Sequence, residues 1–328
     1  VSDQADVLIV GAGPVGLYAA YYAGFRGMSA IVVDSLPEVG GQISAMYPEK
    51  YLYDIAGFPR IKGRELVENL TAQMSVFAHP VLLGEQAVSL AGELGDFELT
   101  TASGHRFHAR SVVITGGIGT FTPRRPPVAT EYEGRGLSYF VKDPELLRGA
   151  DVVVLGGGDS AVDWALTLED VAGSVALVHR RDQFRAHEHS LALLRASRVE
   201  VLTSAQIAAA YGEDVLNAVD VVCAGETLSR KADHVVSALG FIADLGPLTE
   251  WGLEMRERHI AVDPHMSTSR RGVYAAGDIS DFDGKVRLLA VGFGEAATAI
   301  NNLAVALRPE LSLMPGHSSD QVTSGALV

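Results

Sequence analysis

The stretch Asp6-Val7-Leu8-Ile9-Val10-Gly11-Ala12-Gly13-Pro14-Val15-Gly16 passes from an unbroken apolar run straight into three glycines. The pattern returns as Asp151-Val152-Val153-Val154-Leu155-Gly156-Gly157-Gly158-Asp159-Ser160-Ala161. An apolar run without alternation fits a parallel strand buried on both faces. In the spacing G-x-G-x-x-G, the first glycine permits a tight turn. The second lets the backbone approach a pyrophosphate, and the third lets helix and strand pack closely. The helix opened by such a loop offers free N–H groups and the positive end of its dipole to phosphate. The second stretch reads G-x-G-x-x-A, so Gly156, Gly158 and Ala161 stand where Gly11, Gly13 and Gly16 mark the first, with Ser160 just ahead of Ala161 as a further candidate cofactor contact. Two such stretches in one chain imply two nucleotide sites.

Working outward, further short apolar runs occur at Ala30-Ile31-Val32-Val33, Ser111-Val112-Val113-Ile114 and Val175-Ala176-Leu177-Val178. Helix-like apolar spacing covers Gly16–Gly27, Gly63–Phe77, Ser160–Asp170 and Ala186–Ala196. Alternation of strand and helix argues for an α/β chain with two doubly wound, Rossmann-like parallel sheets. Each half is interrupted by a small β-hairpin or meander, one at Phe97–Phe107 and one over 215–229 with Gly225 as its turn. Gly116-Gly117 and Gly240 are the expected hinges. At 328 residues the chain is long enough for two domains of about 150 residues each.

The ends of the strands carry the chemistry. Asp34 closes the strand after the first glycine loop, where a carboxylate can accept hydrogen bonds from both ribose hydroxyls of an adenosine. At the equivalent place in the second half stand His179-Arg180-Arg181, with Arg185 four residues on. An acid there would repel a 2′-phosphate, whereas two guanidiniums bind it with charge-assisted bonds. The pattern therefore points to NADP at the second site. A third element, Val273-Tyr274-Ala275-Ala276-Gly277-Asp278, is followed by Gly292-Phe293-Gly294-Glu295-Ala296 opening an apolar helix through Leu307. This suits backbone contact with a flavin ring and a bond from Asp278 to a ribityl chain, although Gly-Asp alone is a common turn. Gly40-Gly41-Gln42 and Tyr47 offer an amide and a stacking ring. His187-Glu188-His189 reads as a polar helix surface rather than a metal site, because histidines two apart face different ways on a helix.

Composition narrows the choices. Acidic residues outnumber basic ones 40 to 26, a formal charge of −14, so nonspecific binding to nucleic acid or anionic membrane is disfavoured. The single cysteine, Cys223, excludes a disulfide framework and a Cys-rich metal site within one chain. It sits among apolar residues and is expected to pack as a small buried hydrophobe. The first apolar run has no basic segment ahead of it, and no stretch of about 18 apolar residues stands out. The expectation is a soluble, cytoplasmic protein.

Two fingerprints in this order, then Ala275-Ala276-Gly277-Asp278 and its helix, resemble the two-dinucleotide flavoproteins related to thioredoxin reductase. Thioredoxin reductases carry Cys-x-x-Cys shortly before the second glycine loop. Here that stretch reads Ser138-Tyr139-Phe140-Val141-Lys142-Asp143, with Phe140 and Asp143 at the thiol positions. Longer stretches instead resemble the ferredoxin–NADP reductases of the thioredoxin-reductase-like type. They include Ser35-Leu36-Pro37, Gly40 through Pro59, Gly157 through Ala165, His179 through His189, and Pro315-Gly316-His317-Ser318.

The resemblance implies noncovalent FAD, NADP, a homodimer, and an NADP-binding domain inserted in a split FAD-binding domain. The expected boundaries are 1–117 and 244–308 for FAD, 118–243 for NADP, and 309–328 for a tail over the flavin of the partner subunit. It places Asp34, Gln42, Tyr47, Ala87, Phe121, Asp278 and Ser319 at FAD-contact positions. Tyr47 would stack on one ring face, and His317 of the partner subunit would cover the other. The implied reaction is hydride exchange between NADPH and flavin N5, then one-electron transfer with ferredoxin or flavodoxin. The cofactor would carry that chemistry, so no catalytic acid, base or nucleophile and no metal is expected. Ferredoxins being commonly acidic, docking would use a local basic patch: Lys50, Arg60, Lys62 and Arg64, Arg124 with Arg125, or Arg270 with Arg271. Two alternatives remain open: an NADPH-dependent reductase of a quinone or other small acceptor, and a noncatalytic NADP-sensing flavoprotein.

Overall fold

In the computed structural model, which describes residues 3–316, the apolar run Gln4–Val10 is the centre of a parallel layer. Ala30–Asp34 pairs with it on one side and Arg106–Ile114 on the other. Val81–Leu83 extends the layer beyond Ala30–Asp34, and Val273–Ala275 extends it beyond Arg106–Ile114, all in parallel. Parallel strands covered on both faces need apolar residues at every position. Val7, Ile9, Val32 and Val112–Ile114 are accordingly buried. The nine-residue strand Arg106–Ile114 serves two sheets' worth of pairing. Its first half pairs antiparallel with Asp96–Thr101, which pairs with Ala87–Glu93, so the expected hairpin is part of a three-stranded meander.

Three helices follow the early strands: α1 (Pro14–Phe25), α2 (Gln42–Met46) and α3 (Gly63–Ser75). The chain divides into two units. One joins the chain up to Thr120 to the chain from Ala243 onward, and Phe121–Ile242 forms the other. The two passages, Thr120–Pro123 and Phe241–Asp244, pair as a two-stranded ribbon.

The inserted unit has its own parallel sheet, in the order Leu137–Ser138, His234–Ser237, Asp151–Leu155, Ser174–Val178, Glu200–Leu202. Helices α4 (Asp159–Glu169) and α5 (Glu188–Ala196) belong to it. The hairpin expected at Gly225 is Ala218–Cys223 with Glu226–Lys231, and Ala205–Tyr211 adds a third strand. Cys223 is half-buried rather than buried, its Sγ 3.5 Å from the Thr203 carbonyl. It ends the middle strand of that three-stranded sheet, next to the exposed turn Ala224-Gly225.

Helix α6 (Leu289–Leu307) returns to the first unit and packs on α1. It is the one helix among the described residues long and apolar enough, by length and composition, to cross a membrane. The sequence marks this apolar helix but not a continuous apolar run of that length, because Glu295, Asn301 and Asn302 interrupt it. Its Ala296, Ala299, Ile300 and Leu303 lie in the core of that unit.

Two histidines near sheet edges tie stability to pH. His234 lies within hydrogen-bond distance of Ser138 Oγ at 2.8 Å, and burial lowers its pKa below the ordinary value. Burial lowers that of His79 as well; its Nδ1 accepts from the Ala30 amide, and its Nε2 has no partner. Both fold as neutral rings, while the unfolded chain takes up protons near pH 6.5. Their contribution is therefore full above that pH and is lost as pH falls through the lowered folded values. We expect the melting temperature to drop between pH 7 and pH 5, and His234→Gln to flatten the drop. An unchanged pH profile in that variant would remove His234 from the account.

Candidate functional site

The carboxyl ends of the first unit's parallel strands bring Gly11, Asp34, Thr115 and the Gly277-Asp278 turn to one edge, where doubly wound sheets take ligands. Gly11 has φ +116°, and a Cβ there would sit 2.6 Å from the Thr115 carbonyl oxygen. Thr115, buried, donates its hydroxyl to the Gly11 carbonyl at 2.9 Å. At Gly16 a Cβ would fall 1.8 Å from the Gly11 oxygen. Gly13 differs: its backbone is extended, and a Cβ would meet nothing nearer than Gly41 Cα at 4.0 Å. The space in front of Gly13 is therefore open, and Gly41 closes the other side of the cradle.

No side chain caps α1, and no acid stands in its first turn. Its free amides are thus left for an anion. Asp34 accepts from the Ala12 amide at 2.5 Å and from the Leu36 amide at 2.8 Å. Burial nevertheless raises its pKa above the usual carboxylate value. Each oxygen keeps further lone-pair capacity for hydroxyl donors.

Gln42 opens α2 with its side-chain nitrogen 3.0 Å from the position a Cβ on Gly117 would occupy. Tyr47 follows that helix. Burial, then the charges of Asp278 and Asp54, push its phenol up to about 12. The hydroxyl thus stays protonated, and Asp278 is its electrostatic neighbour. The structure brings Gly11, Gly13, Gly16 and Asp34 together around the first loop, and sets Tyr47 beside Asp278. Ala87 instead starts the outer strand of the meander, paired with Thr101. Phe121 begins the inserted unit and packs edge-on against Phe241 at 5.9 Å.

The second loop is built on the same plan. A Cβ on Gly156 would meet the Ala238 carbonyl at 2.5 Å, and one on Gly157 would enter the His179 ring. His179 stacks on Phe184 and lies 3.0 Å from the Gln183 carbonyl. The Arg185 amide donates to the Gly157 carbonyl at 2.7 Å, which returns the chain from Arg180-Arg181 to the loop. Ser160 stands exposed in the first turn of α4. Asp159, also in that turn, accepts from the His187 amide. Arg180, Arg181 and Arg185 are exposed, and among the described residues no carboxylate pairs with them. His187 precedes α5 as its cap residue, and no metal-holding cluster occurs among the described residues.

Sequence reasoning missed three groups. Thr115 holds the first glycine loop. Glu49 pairs with both Lys62 and Arg64. Lys285 forms a buried pair with Glu295 behind Gly277. A lone acid in an apolar helix was the only signal for the last.

Residues 5–302 match the family model described as pyridine nucleotide-disulphide oxidoreductase. A Frankia alni protein named ferredoxin–NADP reductase is 57% identical over 97% of this chain and all of its own. One of the same name from Thermus thermophilus is 46% identical over 99% of each chain. Among solved structures, T. acidophilum thioredoxin reductase superposes with a TM-score of 0.76 at 27% identity. That match covers 93% of this chain and 98% of its own.

The first cradle distinguishes packing from binding. Gly16→Ala should cost at least about 2 kcal/mol, because loop and helix must part. Gly13→Ala has room and an ordinary backbone, so its stability should stay within about 1 kcal/mol while dinucleotide retention falls. Thermal unfolding and bound-nucleotide content of the two variants check this. Normal dinucleotide content in Gly13→Ala would mean that the open space is not the phosphate site.

Proposed function

The chain belongs to the pyridine nucleotide-disulphide oxidoreductase family, alongside the ferredoxin–NADP reductases it matches, and we propose that it is an FAD-dependent ferredoxin–NADP reductase. The observation that carries this reading is the contrast between its two cradles. One is closed by a half-buried acid, Asp34, and the other by unpaired guanidiniums on Arg180 and Arg181. A single chain that takes one dinucleotide with a free ribose and another with a 2′-phosphate is equipped to pass a hydride between them.

The residues fit FAD at the first cradle. A Cβ would fill the open space at Gly13, and the uncapped amides of α1 suit a pyrophosphate. Asp34 takes the adenosine ribose, Asp278 the ribityl chain, Gln42 the polar ring edge and Tyr47 a ring face. Ala87 and Phe121 are further contact positions by likeness to the family. When bound, the flavin supplies the hydride and one-electron chemistry; the chain holds and orients. Tyr47 presents a neutral phenol because its pKa of about 12 keeps charge off that face. Gly156, Gly158 and Ser160 face the NADP pyrophosphate, and Arg180, Arg181 and Arg185 its 2′-phosphate. The homodimer, the cytoplasmic setting and the crossing tail rest on the family likeness alone. That tail's His317 and Ser319 lie outside the described residues.

Docking of ferredoxin draws on fewer charges than the sequence offers. Lys62 and Arg64 are tied to Glu49. Arg270 donates to the carbonyls of Leu90, Trp251 and Gly92. Arg125 pairs with Glu133, and Arg124 bonds the Phe241 carbonyl. Arg60 lies 4.6 Å over the exposed Tyr51 ring, in a loop that also exposes Tyr53 and Phe58. That loop follows Tyr47 in sequence and is the favoured docking surface.

Steady-state NADPH oxidation with ferredoxin, flavodoxin and quinones tests the reading; turnover with quinones alone would replace it by the small-acceptor reductase. Arg180→Ala with Arg181→Ala removes two charge-assisted bonds of about 1.5 kcal/mol each. The NADPH KM should rise on the order of 100-fold while the NADH KM hardly moves. Equal losses for both nucleotides would take the 2′-phosphate away from these arginines.

A further inference from the structure

Lys285 and Glu295 have side chains only 3% and 5% exposed. A buried ion pair is weak grounds for stability, since an apolar pair of the same volume often serves as well. What an apolar pair cannot do is hold a peptide. Glu295 Oε2 accepts from the Gly277 amide at 2.8 Å and from Ser280 Oγ at 3.2 Å. Lys285 Nζ donates to the Gly277 carbonyl at 2.9 Å and to both oxygens of Glu295. Ser280 shares its one hydroxyl proton between that carboxylate and the same carbonyl, 2.8 Å away. The amide and the carbonyl of one residue are thus both seized by one charged pair.

That residue has reason to be held. Gly277 has φ +82°, and a Cβ on it would crowd Val15 at 3.2 Å. A Cβ on Gly292, in the first turn of α6, would meet Val15 at 2.6 Å. Val15 stands in the first turn of α1, directly behind the phosphate cradle. The next residue after Gly277 is Asp278, whose charge is felt by the half-buried Tyr47.

We propose that the buried Lys285–Glu295 pair is a positioning device that sets the Gly277 peptide, and through it Asp278, for the flavin. The proposal rests on the FAD reading given above. Lys285 and Glu295 touch no reacting atom in it; they act through the turn. Phe282, whose ring lies 5.6 Å from the Lys285 ammonium, helps close the pair from water.

The test compares full-length wild type, Glu295→Gln, and Lys285→Met with Glu295→Gln. Glu295→Gln keeps an acceptor for the Gly277 amide; the double variant removes both charges and the donor to the Gly277 carbonyl. FAD release is followed by recovery of flavin fluorescence, the flavin site by its visible absorption band, and the second cradle by affinity for 2′,5′-adenosine diphosphate. The expected result is FAD release at least three-fold faster in Glu295→Gln and ten-fold faster in the folded double variant. The absorption band should shift, and the adenosine diphosphate affinity should stay within two-fold. FAD release within two-fold of wild type in a folded double variant, with an unshifted band, would reduce the pair to packing. If the double variant does not fold, Glu295→Gln decides on the same criteria; if neither folds, the pair is a folding element and the proposal fails. Wild type that carries no FAD would overturn the functional reading itself, before any variant is compared.

Discussion

The first helix begins where no side-chain carbon can fit: a Cβ on Gly16 would lie 1.8 Å from the Gly11 oxygen. This contact pins the amino end of α1 to the end of the central strand Gln4–Val10. From there the rest of the first unit is positioned. Thr115, at the end of the neighbouring strand, bonds the Gly11 carbonyl. Gly40 donates its amide to the Ala12 carbonyl and brings Gly41 opposite Gly13. Val15 receives Gly277 and Gly292 from the far end of the chain. Segments from both ends of the chain thus meet at one helix turn, Thr115 through its hydroxyl and Gly40, Gly41, Gly277 and Gly292 through backbone. That is why glycines recur there, and why the turn is intolerant where it packs yet open where a ligand would lie.

The two cradles share this plan and diverge in electrostatics. Asp34 is drawn inward by two amides, so its carboxylate is held as a fixed acceptor. Arg180, Arg181 and Arg185 stand outward, unpaired among the described residues. In a chain of net charge −14, an anionic nucleotide is repelled from a distance and needs local positive charge to be held. The same constraint bears on an acidic protein partner. Most of the basic clusters visible in the sequence are already committed to carboxylates or carbonyls, which leaves the aromatic loop carrying Arg60 as the surface of opposite character.

The parallel strands, both glycine loops and most helices were legible because their signals are local. Apolar runs and glycine spacing are written in consecutive residues, and the helices begin and end within a few residues of the periodic stretches. The opposing ends of the two strand–loop–helix motifs, Asp34 against His179-Arg180-Arg181, were legible for the same reason. What was not legible depends on contacts across the chain. Nothing near Lys285 tells that it will be buried against Glu295, or that the two will grip Gly277. Nothing near Glu49 tells that it will neutralise Lys62 and Arg64, which the sequence alone presents as free basic charge. Cys223 sits in an apolar run, but it ends the middle strand of a small antiparallel sheet beside the exposed turn at Gly225, where its side chain is only half covered. Arg270, read as a surface cation, spends its guanidinium on three carbonyls.

The departure from thioredoxin reductase also has a structural account. Phe140 and Asp143 stand where that family's resemblance would put a dithiol, and both have other work. Phe140 stacks on Phe241 at 4.9 Å with rings 7° from parallel, and Phe121 meets Phe241 edge-on. Asp143 accepts from the Glu145 amide and so opens the short helical turn Pro144–Leu147. A thiol at 140 would forfeit the stacked ring, and a thiol at 143 would leave that amide without its carboxylate. The site of disulfide chemistry has thus become part of the inserted unit's own packing. Electrons delivered to a dithiol leave in pairs. A chain without one, but with two nucleotide cradles, has no such internal relay and hands them directly to an external acceptor.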